Sequence, residues 1–475
     1  MKKEIIKILN KQPFSTISKT VDDMKIESYL VGGFVRDLFL ERNEKNDIDI
    51  MVIGSAMELA NNLKRNLNNS KNIQFYKNFG TAMLEWKEFI IEIVGARKES
   101  YNLNSRKPIV EIGTIDDDQK RRDFTINSLA IGLNKNNFGK LIDPFNGVED
   151  IKNKIVRTPL NPDKTYSDDP LRMFRAVRFS SQLNFKIEAE SFKSIRKNIH
   201  RVEIISKERI VDELNKIILS IKPSVGFLNL DKSGLLKIIL PEITNLKGIE
   251  EIEGKSHKEN FYHTLEVLDN ISLKTNNLWL RWAALLHDAG KPSSKKYNSK
   301  TGWTFHGHEF IGSKMVYQIF KRLKLPLNDK MKYVQRLVLL SSRPIIIAKD
   351  FVTDSAVRRL IFDSGDLLED LITLCEADIT TKNTKLFKDY HENFKIVRNK
   401  IISLEEKDNL RNFQPPVSGE EIMKSFNIGP SKKIGIIKEK IKEAIIEGEI
   451  GNEYKAAFKL MKKIGEKLGL NFNEK

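Results

Sequence analysis

Cysteine occurs once in 475 residues, at Cys375, which excludes an intramolecular disulfide and fits a reducing compartment. No apolar run approaches the roughly 20 residues a membrane span needs. The N-terminal run IIKIL is broken by Lys7 and is too short for the apolar core of a secretion signal. The expected location is therefore the cytoplasm, with no membrane partner. Acidic side chains are in deficit, 64 Asp+Glu against 81 Lys+Arg, a net charge of +17. That excess points to an anionic partner, nucleic acid first, although an AT-rich coding sequence would also write lysine wherever the surface tolerates it. The length exceeds what one hydrophobic core supports, so two to four domains are expected.

What is present begins with short strands and helices. Residues 26–30 lead into VGG, FVRDLFLER reads as a short helix, and DIDIMVI is a second strand. Residues 55–69 are helical, FYKNFGTAMLEW and EFIIEIVGAR read as a hairpin-like pair, and 97–120 are polar and loop-like. RRDFTINSLAIGL begins as a helix and runs into a strand. From residue 168 onward the period is helical, with Pro170 at a first-turn position and Asp169 as its cap. The pattern is an α/β region followed by helical domains.

The segment NDIDIMV puts Asp47 and Asp49 on one face of a strand, with Ile48 and Ile50 on the other. Like charges this close repel unless a cation stands between them. Mg²⁺ fits, because it takes carboxylate and phosphate oxygens together. Upstream, Gly32 and Gly33 let backbone amides approach a phosphate at a helix N-terminus, and Arg36 is within reach of it. Asp37 is placed to orient that arginine or the metal shell. Glu92 alternates with Ile91 and Ile93 as a third carboxylate, read as supporting the site or orienting Arg97.

RRDFTINSLA adds Arg121 and Arg122 for a polyphosphate. Asp123 can accept from a sugar hydroxyl, and Asn127 lies four residues on. In DPFNG, Asp143 and Gly147 read as turn residues. SDDPLRMFRAVRF sets Asp169 and Arg172 three apart on one helix. A carboxylate that accepts from an exocyclic amine and a guanidinium that donates to a ring acceptor suit the edges of C and A, and mismatch G and U. Arg175 and Arg178 continue a basic stripe towards phosphate or RNA.

In this order, VGGFVRDLFLERNEKNDIDI, RRDFTINSLAI, LIDPFNGVEDI, DDPLRMFRAVRF and ERIVDEL resemble the successive motifs of the class II tRNA nucleotidyltransferases. These are the bacterial-type CCA-adding enzymes and the related bacterial poly(A) polymerases. The likeness is dense over residues 25–220. It implies an α+β chain: a nucleotidyltransferase-fold head with a mixed sheet, then all-helical neck, body and tail domains that hold the tRNA acceptor arm. The corresponding spans are 1–150, 151–250, 251–400 and 401–475. By the same resemblance Asp47 and Asp49 bind the catalytic metals, and Asp169 and Arg172 act as the protein template for C and then A. Arg122 and Asp123 serve phosphates and sugar, and Glu208 and Arg209 support the neck. Asp168 stands where relatives usually carry Glu, and Glu41 replaces a usual glycine. The loop at 97–120 is full length, as in enzymes that add the final A.

Five of the seven histidines fall within residues 257–308: His257, His263, His287, His306 and His308. His263, the His287–Asp288 pair and Asp378 of CEADIT can converge on a divalent ion with open positions. FYHTLEV, LRWAALLHDAGKP, FHGHEFIG and LCEADIT resemble the HD phosphohydrolase domain that some of these nucleotidyltransferases carry. Ser341 and Ser342 stand where relatives often show a histidine before RP, which weighs against two metals there. Gly429 and Pro430 break a helix in the Lys-rich tail, where Lys432, Lys433 and Lys438 suit loose contact with an RNA backbone. The expected activity is addition of CCA to the 3′ end of tRNA from CTP and ATP, with release of pyrophosphate. Poly(A) synthesis and A-addition alone are the enzymatic rivals, and an RNA-binding scaffold with an inactive head is the non-enzymatic one.

Overall fold

The computed structural model describes residues 2–42, 46–68, 73–76, 80–100, 109–257, 259–349, 353–381, 383–408 and 414–473. Two compact units divide the chain, Met1–Ile238 and Ile239–Lys475. Among the described residues, no helix is long and apolar enough to cross a membrane.

The first unit opens with the strands β1 (Glu27–Val31), β2 (Asp47–Ile53), β3 (Gln74–Tyr76), β4 (Thr81–Trp86), β5 (Phe89–Gly95), β6 (Arg97–Ser100), β7 (Ile109–Ile112), β8 (Ala130–Gly132) and β9 (Leu141–Ile142). Seven of them form one mixed sheet in the order β3-β4-β5-β2-β1-β8-β9. Within that sheet only β2 and β5 run parallel, in a register that sets Asp49 opposite Glu92. The β4–β5 hairpin is as the alternation predicts, closed between Trp86 and Phe89. The middle of FYKNFGTAMLEW, residues 77–79, lies outside the described residues.

Alternation gives the sheet two different faces. One carries Leu30, Ile48, Ile50, Ile91, Ile93 and Ile131, all fully buried. Helices Phe14–Asp23 and Ala56–Asn66 pack there with Ile17, Val21, Leu59 and Leu63. The other face is apolar at one end, where Tyr29, Val31, Met51 and Ala130 cluster. It turns acidic at the start of β2, where Asp47 and Asp49 follow the same period.

The region expected to be loop-like holds more structure than its polarity predicts. β6 and β7 pair as a ribbon, and next comes helix Ile115–Arg121, capped reciprocally by Thr114 and Asp117. Residues 101–108 of that loop lie outside the described residues. The helix thus ends at Arg121 instead of starting there. Beyond it the chain takes an extended step, a 3₁₀ turn Thr125–Asn127 and then β8. Helix Leu171–Leu183 buries Met173, Phe174 and Val177 against helices Lys207–Ile218 and Pro223–Ser233. Each large apolar side chain contributes roughly 1.5–3 kcal/mol there.

The second unit is helical. Asn260–Ser272, Leu278–Leu286, His308–Leu323, Asp329–Leu340 and Leu368–Ala377 enclose Trp282, Phe261 and Phe320, all fully buried. Further on, helices Gly419–Phe426 and Lys432–Glu447 are separated at Gly429 and Pro430, as expected. Arg359 on helix Asp354–Ser364 ties down the second of these by pairing with Glu447 at 2.8 Å and with Glu443.

Candidate active site

Gly32 follows β1 and opens the helix Gly32–Phe39 with φ +75°, a conformation that disfavours any Cβ. A Cβ there would also lie 2.6 Å from Asp49 Oδ2. The glycine is therefore required twice, by the turn and by the carboxylate lying over it. The Gly33 amide also stands beside the Asp49 carboxyl and favours its charged form. Burial pushes the Asp49 carboxyl up to about 6; Glu92 and Asp47 add to the rise, and Arg122 opposes it.

A cavity of about 880 Å³ opens beside these residues. It is lined by Gly32, Gly33, Arg36, Asp49, Arg122, Asp123, Asn127, Asp169, Arg172, Arg175 and Arg178, every head residue expected from the sequence except Asp47. Asp47 lines an adjoining cavity of about 350 Å³ that shares Gly33, Asp49 and Glu92 with the first. Eight arginines and four carboxylates face the larger space, which suits a ligand of several negative charges.

Several of these side chains hold one another instead of facing outward, because buried charges need partners. Arg36 is buried; its Nε donates to Asp37 at 2.9 Å and its Nη1 to Asn127 Oδ1 at 2.8 Å. Asn127 in turn donates to Asp123 Oδ1 at 3.0 Å. Asp123 Oδ2 accepts from Arg175 Nε at 2.7 Å, and Oδ1 also accepts from the Phe124 amide. Burial alone would raise the Asp123 carboxyl, but Arg175 and Asn127 take it down to about 2. Arg36, expected on a phosphate, and Asp123, expected on a sugar hydroxyl, both line the cavity and are held in its wall by these neighbours. Arg178, read as part of an outward stripe, pairs with buried Glu213 at 2.8 Å. Arg178, Arg36 and Arg175 stand 4.2, 5.1 and 5.6 Å from the ring centre of Phe179. Asp143 caps the helix Gly147–Asn153 by accepting from the Gly147 and Val148 amides, the turn role expected of it. Arg97 donates to Thr81 Oγ1 at 2.8 Å.

Asp169 and Arg172 share one wall of the larger cavity. Asp169 Oδ1 accepts from the Leu171 amide at 3.2 Å, a local cap, and Arg172 Nη2 donates to the Arg121 carbonyl at 2.6 Å. Three residues were missed from the sequence, and a fourth was given another role. Asp118, fully buried, pairs with both Arg121 and Arg122. Glu213 and Phe179 hold the basic stripe together, and Arg209 lines the cavity where a neck support was expected. The spacing DxxRR was the available signal for Asp118, since i,i+3 and i,i+4 share a helix face.

In the second unit His263 Nε2 lies 2.7 Å from Asp378 Oδ1 and 3.7 Å from Asp288 Oδ2. His287 Nε2 lies 3.4 Å from Asp288 and 3.6 Å from Asp378. The outer nitrogens are fixed, His287 Nδ1 on the Ala284 carbonyl at 2.8 Å and His263 Nδ1 on Thr380 Oγ1 at 2.9 Å. His287 Nε2 and Asp378 Oδ1 are buried and face the other members of this cluster. Among the described residues, His263, His287 and Asp288 are the one set whose ligand atoms all lie within 4.8 Å of one another. Burial works to lower the His287 imidazole, yet Asp288 and Asp378 carry it up to about 10. A divalent cation fits this donor set. Lys291 also reaches Asp288, at 2.7 Å, and His308 Nε2 is 3.6 Å from it. His257 instead sits edge-on to Trp303 and Phe305, and His306 is exposed.

Three family descriptions match the chain: the poly A polymerase head domain over residues 28–157, a probable RNA- and SrmB-binding site of polymerase A over 184–247, and the HD domain over 260–382. The A-adding tRNA nucleotidyltransferase of Deinococcus radiodurans is 30% identical over 72% of this chain and 78% of its own. The CCA-adding enzyme of Lactobacillus helveticus is 38% identical over 42% of this chain and 48% of its own. Among solved structures, a CCA-adding enzyme in complex with ATP superposes with a TM-score of 0.62 at 25% identity, over 97% of this chain and 96% of that one.

Proposed function

The chain belongs to the family of tRNA nucleotidyltransferases that includes CCA-adding and A-adding enzymes, and from that premise we propose that it adds CCA to the 3′ end of tRNA from CTP and ATP. The observation that carries this reading is the junction of two cavities at Asp49 and Glu92, one acidic and one lined by eight arginines, with Asp169 and Arg172 on the basic wall. Asp47 and Asp49 would hold Mg²⁺, with Glu92 beside them. A bound divalent ion supplies stabilisation of charge on the attacking 3′ oxygen and on the departing pyrophosphate. Arg122 and its neighbours hold the triphosphate, Gly32 leaves room for the Asp49 carboxylate, and the braced wall keeps the reacting groups oriented. Asp169 accepts from the exocyclic amine of C or A. Arg172, with five N–H donors, can hold the Arg121 carbonyl and still address a ring acceptor. Residues 1–150 thus supply the chemistry, and 151–250 complete its basic wall. In residues 251–400, His263, His287, Asp288 and Asp378 would hold a divalent ion, and 401–475 form the tail.

The test is product sizing on tRNA trimmed to its discriminator base. Three added nucleotides with CTP and ATP together, and two with CTP alone, support CCA addition. The A-adding reading is favoured by the name of the Deinococcus relative; it predicts no extension with CTP and one A on tRNA already ending in CC. Long A tracts would reassign the chain as a poly(A) polymerase, and absence of pyrophosphate release would leave an RNA-binding scaffold.

A further inference from the structure

Asp118 is the fully buried carboxylate nearest the base-reading pair in the hydrogen-bond network, and the proposed reaction gives it no part. Its Oδ1 accepts from Arg121 Nε at 3.0 Å, and its Oδ2 from Arg122 Nε at 2.9 Å and Nη2 at 2.8 Å. Both arginines are mostly shielded, with side-chain exposures of 21% and 16%. Burial would raise this carboxyl, but Arg122 and Arg121 hold it below the usual range. Arg121 closes helix Ile115–Arg121, so its carbonyl has no partner within the helix. That carbonyl is the atom that receives Arg172 Nη2 at 2.6 Å.

We propose that Asp118 is a positioning residue for nucleotide choice, bracketing Arg121 and Arg122 so that the helix-end carbonyl holds Arg172 in its base-reading pose. The proposal rests on the reading of Arg172 as part of the template. One carboxylate thereby ties the arginine that reads the base to the arginine that faces the triphosphate. Removing its charge takes the shared anion from between two shielded guanidiniums, and they repel. Arg121 then moves, and Arg172 with it.

The experiment measures single-nucleotide incorporation from CTP, ATP, GTP and UTP on end-trimmed tRNA by Asp118→Asn, Arg121→Lys and Arg172→Ala. Asp118→Asn is expected to lower the preference for C and A over G and U by about tenfold, the scale of one lost bidentate contact. The KM for CTP should stay within about threefold, since Arg122 keeps its charge. Arg121→Lys keeps the backbone carbonyl but cannot bridge both ways; it should blur choice in the same direction by about threefold, and serves if Asp118→Asn does not fold. Equal losses for all four nucleotides with preference intact in both variants would overturn the proposal and leave Asp118 a structural ion pair. If Arg172→Ala blurs choice and the other two do not, only the Asp118 proposal falls. If Arg172→Ala leaves preference unchanged, the template reading falls and the proposal falls with it.

Discussion

The two charged centres of this chain are built on opposite plans. In the second unit the ligand atoms of His263, His287 and Asp288 converge, with Asp378 2.7 Å from His263, and the outer histidine nitrogens are tied to Ala284 and Thr380. In the first, Asp47, Asp49 and Glu92 line a shared cavity but are not among the sets whose ligand atoms lie within 4.8 Å of one another. A converging donor set can seat an ion without a substrate. An open one, beside eight arginines, calls for a substrate that brings its own oxygens to the metal, as nucleoside triphosphates do.

The largest expected effect separates the two plans directly. Asp47→Ala should lower nucleotide addition by at least about three orders of magnitude, roughly 4 kcal/mol of lost transition-state stabilisation. Asp288→Ala should leave addition within a few-fold in the same single-turnover assay. The reverse ranking would break the comparison. Next comes Arg172→Ala, which should reduce preference among the four nucleotides by about tenfold or more while weakening CTP binding far less, as competition assays with CTP and GTP would reveal.

Acid titration sharpens the contrast at lower energies. Asp123 falls from 3.8 to about 2 on folding, so it stabilises the first unit above its unfolded value and loses that contribution as pH drops through about 2. Between pH 4 and 2 the wild type should lose about 2 kcal/mol that Asp123→Asn does not lose, read from urea unfolding of each protein. The smallest effect concerns Glu41, which turns the chain after helix Gly32–Phe39 at φ +54°. Glu41→Gly should raise stability by roughly 0.5–1 kcal/mol by removing left-handed strain, with addition unchanged.

Much of this was legible in the sequence because period and spacing constrain it. The alternation in NDIDIMV fixes which face Asp47 and Asp49 share, and VGG marks where a side chain would collide with Asp49. The HD spacing likewise marks residues from separate helices that do converge. What escaped was pairing between segments. Nothing local says that Asp123 meets Arg175, or that Glu213 meets Arg178, because each contact joins elements far apart in the chain. The helix at Ile115–Arg121 escaped for a different reason: it is seven residues long and polar, below the length at which periodicity speaks. Asp118 was hidden inside that misread loop.

One substitution tests the account most directly, because it should move two quantities in opposite directions. In the folded chain Asp49 titrates near 6 instead of 3.8, so above pH 6 its charge opposes folding unless a cation stands beside it. Asp49→Asn, measured in chelator at pH 7.5, should be more stable than wild type by about 1–3 kcal/mol. Supplied with Mg²⁺, CTP, ATP and end-trimmed tRNA, the same preparation should release no pyrophosphate. Pyrophosphate release at the wild-type rate would contradict the account.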